Sequence, residues 1–258
     1  TLAYMHAQQL ALDIVVCNAA ISACEKCARW QEALDVLSAM RGRRLDPDVV
    51  SWSAAISACE NAARWQEALG LLAEMRTRRA EPNAITYNAA ISACAQGARM
   101  QEALGVMSKF WQCDGIPDQV TFNAAIAACQ KGGQWQRGLS MLSAMQRAQV
   151  EPDVITFNAA CSACEKGAQW QAVFDLLTVM RKRRVQADVI TYNHAIVACD
   201  VYETWQRALA MFLDMRQWLI ETNVLSYRAT VSACDKCERW QEVLDYVWKM
   251  RQRHLEPD

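Results

Sequence analysis

Histidine is scarce in this chain: His6, His194 and His254 are the whole complement of 258 residues. There is no H-E-x-x-H pair and no glycine-rich phosphate loop, so the common metal-hydrolase and nucleotide-cradling motifs are missing. The chain is therefore expected to be no enzyme, with no cofactor, no bound metal and no small-molecule substrate. An excess of positive charge is missing too. The formal net charge is −1, whereas a strongly basic domain is the usual electrostatic footprint of a nucleic-acid binder. No stretch approaches the roughly 20 apolar residues of a membrane span, so no membrane partner is expected. No secretory signal or Arg/Ser-rich transit peptide is visible, and either would have to precede Thr1.

What the chain does have is a fixed period. Cys24, Cys59, Cys94, Cys129, Cys164, Cys199 and Cys234 stand 35 residues apart without an insertion or deletion. Trp30, Trp65, Trp135, Trp170, Trp205 and Trp240 keep the same step, with Met100 in the missing place, and a Gln follows each of them. Such a period is the signature of a solenoid, whose units bury their apolar faces only against their neighbours. Seven units result: 14–48, 49–83, 84–118, 119–153, 154–188, 189–223 and 224–258. Residues 1–13 form the end of a preceding repeat. Without an initiator Met or a capping unit, the chain is expected to be a segment of a longer protein.

The period also decides how the cysteines are read. Equivalent residues on neighbouring stacked helices should lie about 8–10 Å apart, and a disulfide needs Cα atoms closer than about 7 Å. Cys24–Cys27, Cys161–Cys164 and Cys234–Cys237 each read C-x-x-C, but none has a second pair or a His at ligand spacing. The cysteines are therefore expected to be small buried thiols in a reducing compartment.

In the unit 84–118, Tyr87, Ala90, Ile91 and Cys94 fall on one helical face. Gly97 ends that helix, as Gly132 and Gly167 do later. Met100, Ala103, Leu104 and Met107 then repeat the spacing, and in the next unit Trp135, Leu139, Leu142 and Met145 do so. The tryptophans on this stripe are expected to pack in the core. Pro-Asp or Pro-Asn closes four units, because Pro cannot continue a helix. Each unit is a helical hairpin, and the fold class is all-α. Small residues such as Ala58, Ala93 and Ala128 let the first helices approach closely. The basic runs Arg41–Arg44 (with Gly42), Arg76–Arg79 (with Thr77) and Arg181–Arg184 are expected to be solvated helix C-termini. Glu67, Glu102 and Glu242 are expected on the solvated side of the second helix.

A 35-residue hairpin with a V-I-T-Y-N opening (Val189 to Asn193), an E-A-L second helix (Glu67, Ala68, Leu69), a terminal Met75 and a closing Pro-Asp resembles the pentatricopeptide repeat family. The likeness spans the whole chain, and the constant unit length is similar to the P-type subclass. It implies a right-handed α-solenoid superhelix that binds single-stranded RNA, one base per repeat. By this resemblance the fifth and last residues of each unit choose the base: Asn18 with Asp48, Ser53 with Asn83, Asn88 with Asp118, Asn123 with Asp153, Asn158 with Asp188, Asn193 with Asn223, and Arg228 with Asp258. The chemistry suits the role, since an Asn amide offers one donor and one acceptor end to a base edge. The family's code implies U-A-U-U-U-C/U-N from the 5′ end. The second residue, Val15, Val50, Ile85, Val120, Ile155, Ile190 or Leu225, is implied to pack between bases. Lys26, Lys131, Lys166 and Lys236 are implied to meet phosphate, while Asn61, Gln96 and Val201 depart from that pattern. His194 and Arg228 either perturb the last two bases or occupy solvent.

The resemblance further implies a role in organellar RNA processing, stabilisation or translation, with the chloroplast ahead of the mitochondrion. Any protein partners are expected to use other parts of the parent chain. The rival reading is a protein-binding helical-repeat scaffold, whose groove should be apolar or rich in Arg and Lys rather than lined by polar, base-sized side chains.

Overall fold

The computed structural model describes residues 13–43, 45–113, 115–200 and 204–235. Arg44, Val201, Lys236, Cys237, Trp240, Glu242, Asp258, His6, His254 and the expected repeat end over 1–12 lie outside them. The described residues form helices and no strand. The first helices of the hairpins are α1 (Ile14–Lys26), α3 (Val49–Asn61), α5 (Ala84–Gln96), α7 (Gln119–Lys131), α9 (Val154–Lys166), α11 (Val189–Asp200) and α13 (Val224–Asp235). The second helices are α2 (Trp30–Gly42), α4 (Trp65–Thr77), α6 (Met100–Gln112), α8 (Trp135–Arg147), α10 (Trp170–Lys182) and α12 (Trp205–Gln217). No helix among them is long and apolar enough to cross a membrane.

The chain divides into two compact units, 1–132 and 133–258. Within the first, α1, α3, α5 and α7 stack in sequence, and α2, α4 and α6 each wedge between their own first helix and the next. Within the second, α9, α11 and α13 stack, α8 packs on α9, and α10 and α12 each wedge between their own first helix and the next.

Every described first helix starts on an Asp or Asn whose side chain accepts the backbone N–H three residues on. Asp48 takes it from Ser51 at 2.8 Å, Asn83 from Thr86 at 2.9 Å, and Asp188 from Thr191 at 2.9 Å. Such caps satisfy an orphan donor and set where the helix begins. The helices end on paired reverse bonds: Arg99 N–H reaches Cys94 O at 2.8 Å and Ala98 N–H reaches Ala95 O at 3.1 Å. This closure requires one left-handed residue. It falls on Ala28, Ala63, Ala98 and Ala168 (φ 53 to 55°) and on Gly133 (φ 65°), one residue past the position expected from Gly97, Gly132 and Gly167. Two of those glycines answer to a different constraint. A Cβ on Gly97 would stand 2.5 Å from Trp65 Cδ1, and one on Gly167 would stand 2.2 Å from Trp135 Cδ1.

The core lies between the layers. Trp52, Tyr87, Phe122, Phe157, Tyr192 and Tyr227 occupy the fourth place of successive units and are at most 2% exposed. Each fully buried large side chain stabilises by about 1.5–3 kcal/mol relative to exposure. Tyr87 stacks on Phe110 with ring centroids 4.7 Å apart. Ala58, Ala93, Ala128, Ala163 and Ala198 are fully buried beside Cys59, Cys94, Cys129, Cys164 and Cys199. Burial pushes the Cys59 thiol up to about 12 and those of Cys94 and Cys164 to about 11.

Three expectations change. The second-helix stripe runs through Ala103, Val106, Met107 and Phe110, leaving Leu104 and Leu139 half-buried. The tryptophans stand at the first residue of that helix, half-buried rather than in the core. Three of them take an Arg of the next hairpin over the ring: Arg64 over Trp30 at 4.4 Å, Arg99 over Trp65 at 4.5 Å and Arg207 over Trp170 at 3.9 Å. The basic runs are not simply solvated, since Arg41 pairs with Glu74 at 2.9 Å and Arg181 with Asp214 at 2.7 Å. Glu67 and Glu102 pair with Arg64 and Arg99, each at 2.7 Å.

Candidate functional site

Capping brings the fifth residue of one unit against the last residue of the same unit. The helix cap is residue 35, and the stacking of first helices carries it back beside the preceding first helix. Asn18 Nδ2 donates to Asp48 at 3.2 and 3.3 Å, and Asn88 Nδ2 donates to Asp118 at 3.2 Å. Asn158 Nδ2 lies 3.1 and 3.0 Å from the Asp188 oxygens, and Asn193 Nδ2 donates to Asn223 Oδ1 at 3.4 Å. Four pairs named from the sequence are thus contacts in the fold. Ser53 and Asn83 meet only indirectly: Thr86 Oγ1 donates to Asn83 Oδ1 at 2.8 Å and lies 2.9 Å from Ser53 Oγ. Asn123 is half-buried, and Asp153 caps α9 through Thr156 at 2.8 Å. Asp258 is outside the described residues, so Arg228, exposed on α13, has no described pair.

The amides are not equally open. Asn18, Asn88, Asn123 and Asn158 are half-buried, while Asn193 and Ser53 are 5% and 9% exposed. Burial of Asp48 pushes its carboxyl up. Hydrogen bonds from the Ser51 backbone and hydroxyl and from Asn18 outweigh this and hold it below the usual carboxylate range. Asp118 follows the same pattern through Thr121 and Asn88. Asp48 and Asp118 therefore face Asn18 and Asn88 as anions at neutral pH.

The second residue of each unit lies on the outer side of its first helix. Val15, Val50, Ile85 and Val120 are 59–73% exposed in the first unit of the chain, and Ile155, Ile190 and Leu225 are 42–66% exposed in the second. Large branched side chains left in water at one place in every repeat form, within each compact unit, a row of apolar ribs. Lys26, Lys131 and Lys166 are exposed at the far ends of their helices, and Lys131 Nζ reaches Gln96 O at 3.5 Å. Asn61, which lacks the charge, donates to Glu25 O at 2.9 Å. His194 is half-buried with Nδ1 against the Glu165 carboxylate of the preceding hairpin, so it neither points into solvent nor joins the amide row.

Sequence reasoning missed the third residue of the second to seventh units, a place held by Val16 in the first. Ser51, Thr86, Thr121, Thr156, Thr191 and Ser226 are fully buried, and all join the cap. The available signal was a Ser or Thr recurring every 35 residues, three places after an Asp or Asn.

Among the described residues, no three His, Cys, Asp or Glu side chains are grouped to hold a metal ion. The described cysteines are free thiols. Cys27 and Cys113 are exposed and Cys24 is half-buried, so the expectation of burial fails for these three.

Stacked helical hairpins of constant length define an α-helical repeat protein. Sequence models of the PPR repeat family match residues 12–61, 47–96 and 117–166. Those of the pentatricopeptide repeat domain and the PPR repeat match 175–237 and 85–114. The chain belongs to the pentatricopeptide repeat family. Among solved structures it is similar to the pentatricopeptide repeat protein PPR10 from maize, with TM-score 0.65 and 18% identity over 100% of this chain and 41% of that one. It also resembles PPR10 in complex with an 18-nucleotide psaJ RNA element (TM-score 0.59, 18% identity, 100% of this chain, 42% of that one). A third likeness is the PPR domain of Arabidopsis thaliana protein-only RNase P 1 in complex with tRNA (TM-score 0.59, 15% identity, 65% of this chain, 89% of that one). The chain spans about two fifths of the length of PPR10. No curated protein sequence matches it significantly.

Proposed function

We propose that the array binds single-stranded RNA sequence-selectively, one base per repeat, in the register U-A-U-U-U-C/U-N. The observation that carries this reading is the pairing of a half-open Asn with an Asp cap in the first, third and fifth repeats, beside an exposed branched aliphatic. The amide supplies a donor and an acceptor to a base edge, and the ribs separate successive bases. Complexes of PPR10 with psaJ RNA and of the protein-only RNase P 1 PPR domain with tRNA support a ribonucleotide ligand. With a net charge of −1, affinity rests on local cations such as Lys26, Lys131 and Lys166 and falls as salt rises. The array acts by occupancy, without chemistry of its own. It shields or remodels an organellar transcript, in the chloroplast ahead of the mitochondrion, so that processing or translation follows.

Electrophoretic mobility shift with UAUUUC-containing RNA against a scrambled pool tests the reading. Preferential retention of the designed sequence is expected, and equal retention of both would reject base selection. Ser53→Asn with Asn83→Asp is expected to move the second base from A to U.

A further inference from the structure

We propose that the hydroxyl at the third position of each hairpin fixes the base-reading amide of the hairpin before it, and so is a specificity-positioning residue. This rests on the reading above. An Asn amide has two ends of nearly equal shape, and turning it over exchanges donor for acceptor. The cap residue holds only the Nδ2 end. The Oδ1 end is held from the next hairpin: Thr121 Oγ1 donates to Asn88 Oδ1 at 2.6 Å, Thr191 Oγ1 to Asn158 Oδ1 at 2.6 Å, and Ser226 Oγ to Asn193 Oδ1 at 2.6 Å. Ser51 makes the same bond to Asn18.

Proton counting favours this direction. A hydroxyl has one proton, and each of these also lies 2.8–2.9 Å from the cap oxygen. The amide oxygen is the nearer acceptor at every one of these junctions. The cap's own backbone N–H turns toward the hydroxyl oxygen at Asp118, Asp188 and Asn223 (3.2, 3.3 and 3.4 Å), occupying its lone-pair side. The hydroxyls are fully buried, so water does not substitute for a missing bond. Where Ser53 replaces Asn, the hydroxyl of Thr86 still meets the fifth residue, at 2.9 Å. There the nearer acceptor is the cap, Asn83 at 2.8 Å, so the bond to the fifth residue is made where that residue is Asn, whether the cap is Asp or Asn. Base choice by one repeat then depends on a residue of the next, and a transplanted specificity must carry three residues across two hairpins.

The test compares wild type, Thr191→Val and Thr191→Ser by fluorescence anisotropy. The RNAs carry U or C at the fifth base, read by Asn158, or at the third base, read by Asn88. Val keeps the shape and removes the proton; Ser keeps the proton. The U-over-C preference of Thr191→Val is expected to fall about fivefold at the fifth base, the equivalent of one hydrogen bond. It should stay at the wild-type value at the third base, and Thr191→Ser should restore it at the fifth. An unchanged preference in Thr191→Val would overturn the inference, as would an equal loss of affinity for every RNA, the mark of a purely structural role. If wild type itself shows no preference at either base, the underlying reading fails first. Side-chain amide NMR of the RNA-free protein gives a separate readout, in which only the Asn158 NH2 pair should shift in Thr191→Val.

Discussion

Replacing Asp118 by alanine removes two bonds at one junction, and their costs are separable. Asp118 accepts the Thr121 backbone N–H at 2.8 Å and Asn88 Nδ2 at 3.2 Å, while the Thr121 hydroxyl, also 2.8 Å away, gives its proton to Asn88. Loss of the helix cap costs about 1 kcal/mol. The Asn88 amide is half-buried, and losing its carboxylate partner adds about 1 kcal/mol. The Thr121 hydroxyl adds nothing, because Asn88 Oδ1 remains at 2.6 Å to take its proton. Asp118→Ala should therefore destabilise by about 2 kcal/mol. Asp118→Asn should cost less than about 0.5 kcal/mol, since Asn83 and Asn223 already cap α5 and α13 through their Oδ1 atoms. Urea denaturation at pH 7 reads both. The Asn variant of the cap also differs from Asp in acid. The Asp118 carboxyl is held below its ordinary value, so its added stabilisation is complete above about pH 3.9 and fades as pH falls through the lowered folded value. The stability gap between wild type and Asp118→Asn should close in that window. Equal effects of Ala and Asn at pH 7, or a gap that widens in acid, would refute this account of the junction.

The helix ends and the thiols give further tests. Ala98 holds a left-handed backbone at φ 55°, a place that Gly133 fills in the hairpin that follows, so Ala98→Gly should stabilise by about 0.5–1 kcal/mol. Gly133→Ala should cost a similar amount, and thermal unfolding measures both. With a thiol-specific chromogenic reagent, exposed Cys27 and Cys113 should react in the folded protein. Cys59, Cys94, Cys161 and Cys164, buried and with thiol pKa values pushed up by burial, should react only as it unfolds. Rapid native-state labelling of those four would contradict the packing of the first helices.

Much of the fold is legible in the residues because a strict period makes every unit a copy of the same local problem. Tyr87, Ala90, Ile91 and Cys94 follow from helical spacing alone, and all are buried. The hairpin ends follow from Pro-Asp and from the left-handed turn, both local in the chain. The tryptophans resisted this reading because periodicity places a residue on a helix face without saying what covers that face. Arg99 over Trp65 comes from the next hairpin, and so does the Gly97 that Trp65 would meet.

The same division holds at the site. Repetition along the chain was enough to single out Asn18, Asn88 and Asn158 and their partners at the unit ends, because these positions keep step with the helices. It was not enough to find Thr121 or Thr191, which look like ordinary helix caps until stacking brings them against an amide 33 residues earlier. A cap is a local bond and is written in neighbouring residues. The orientation of an amide is decided by groups on separate hairpins, which only the packed stack brings together.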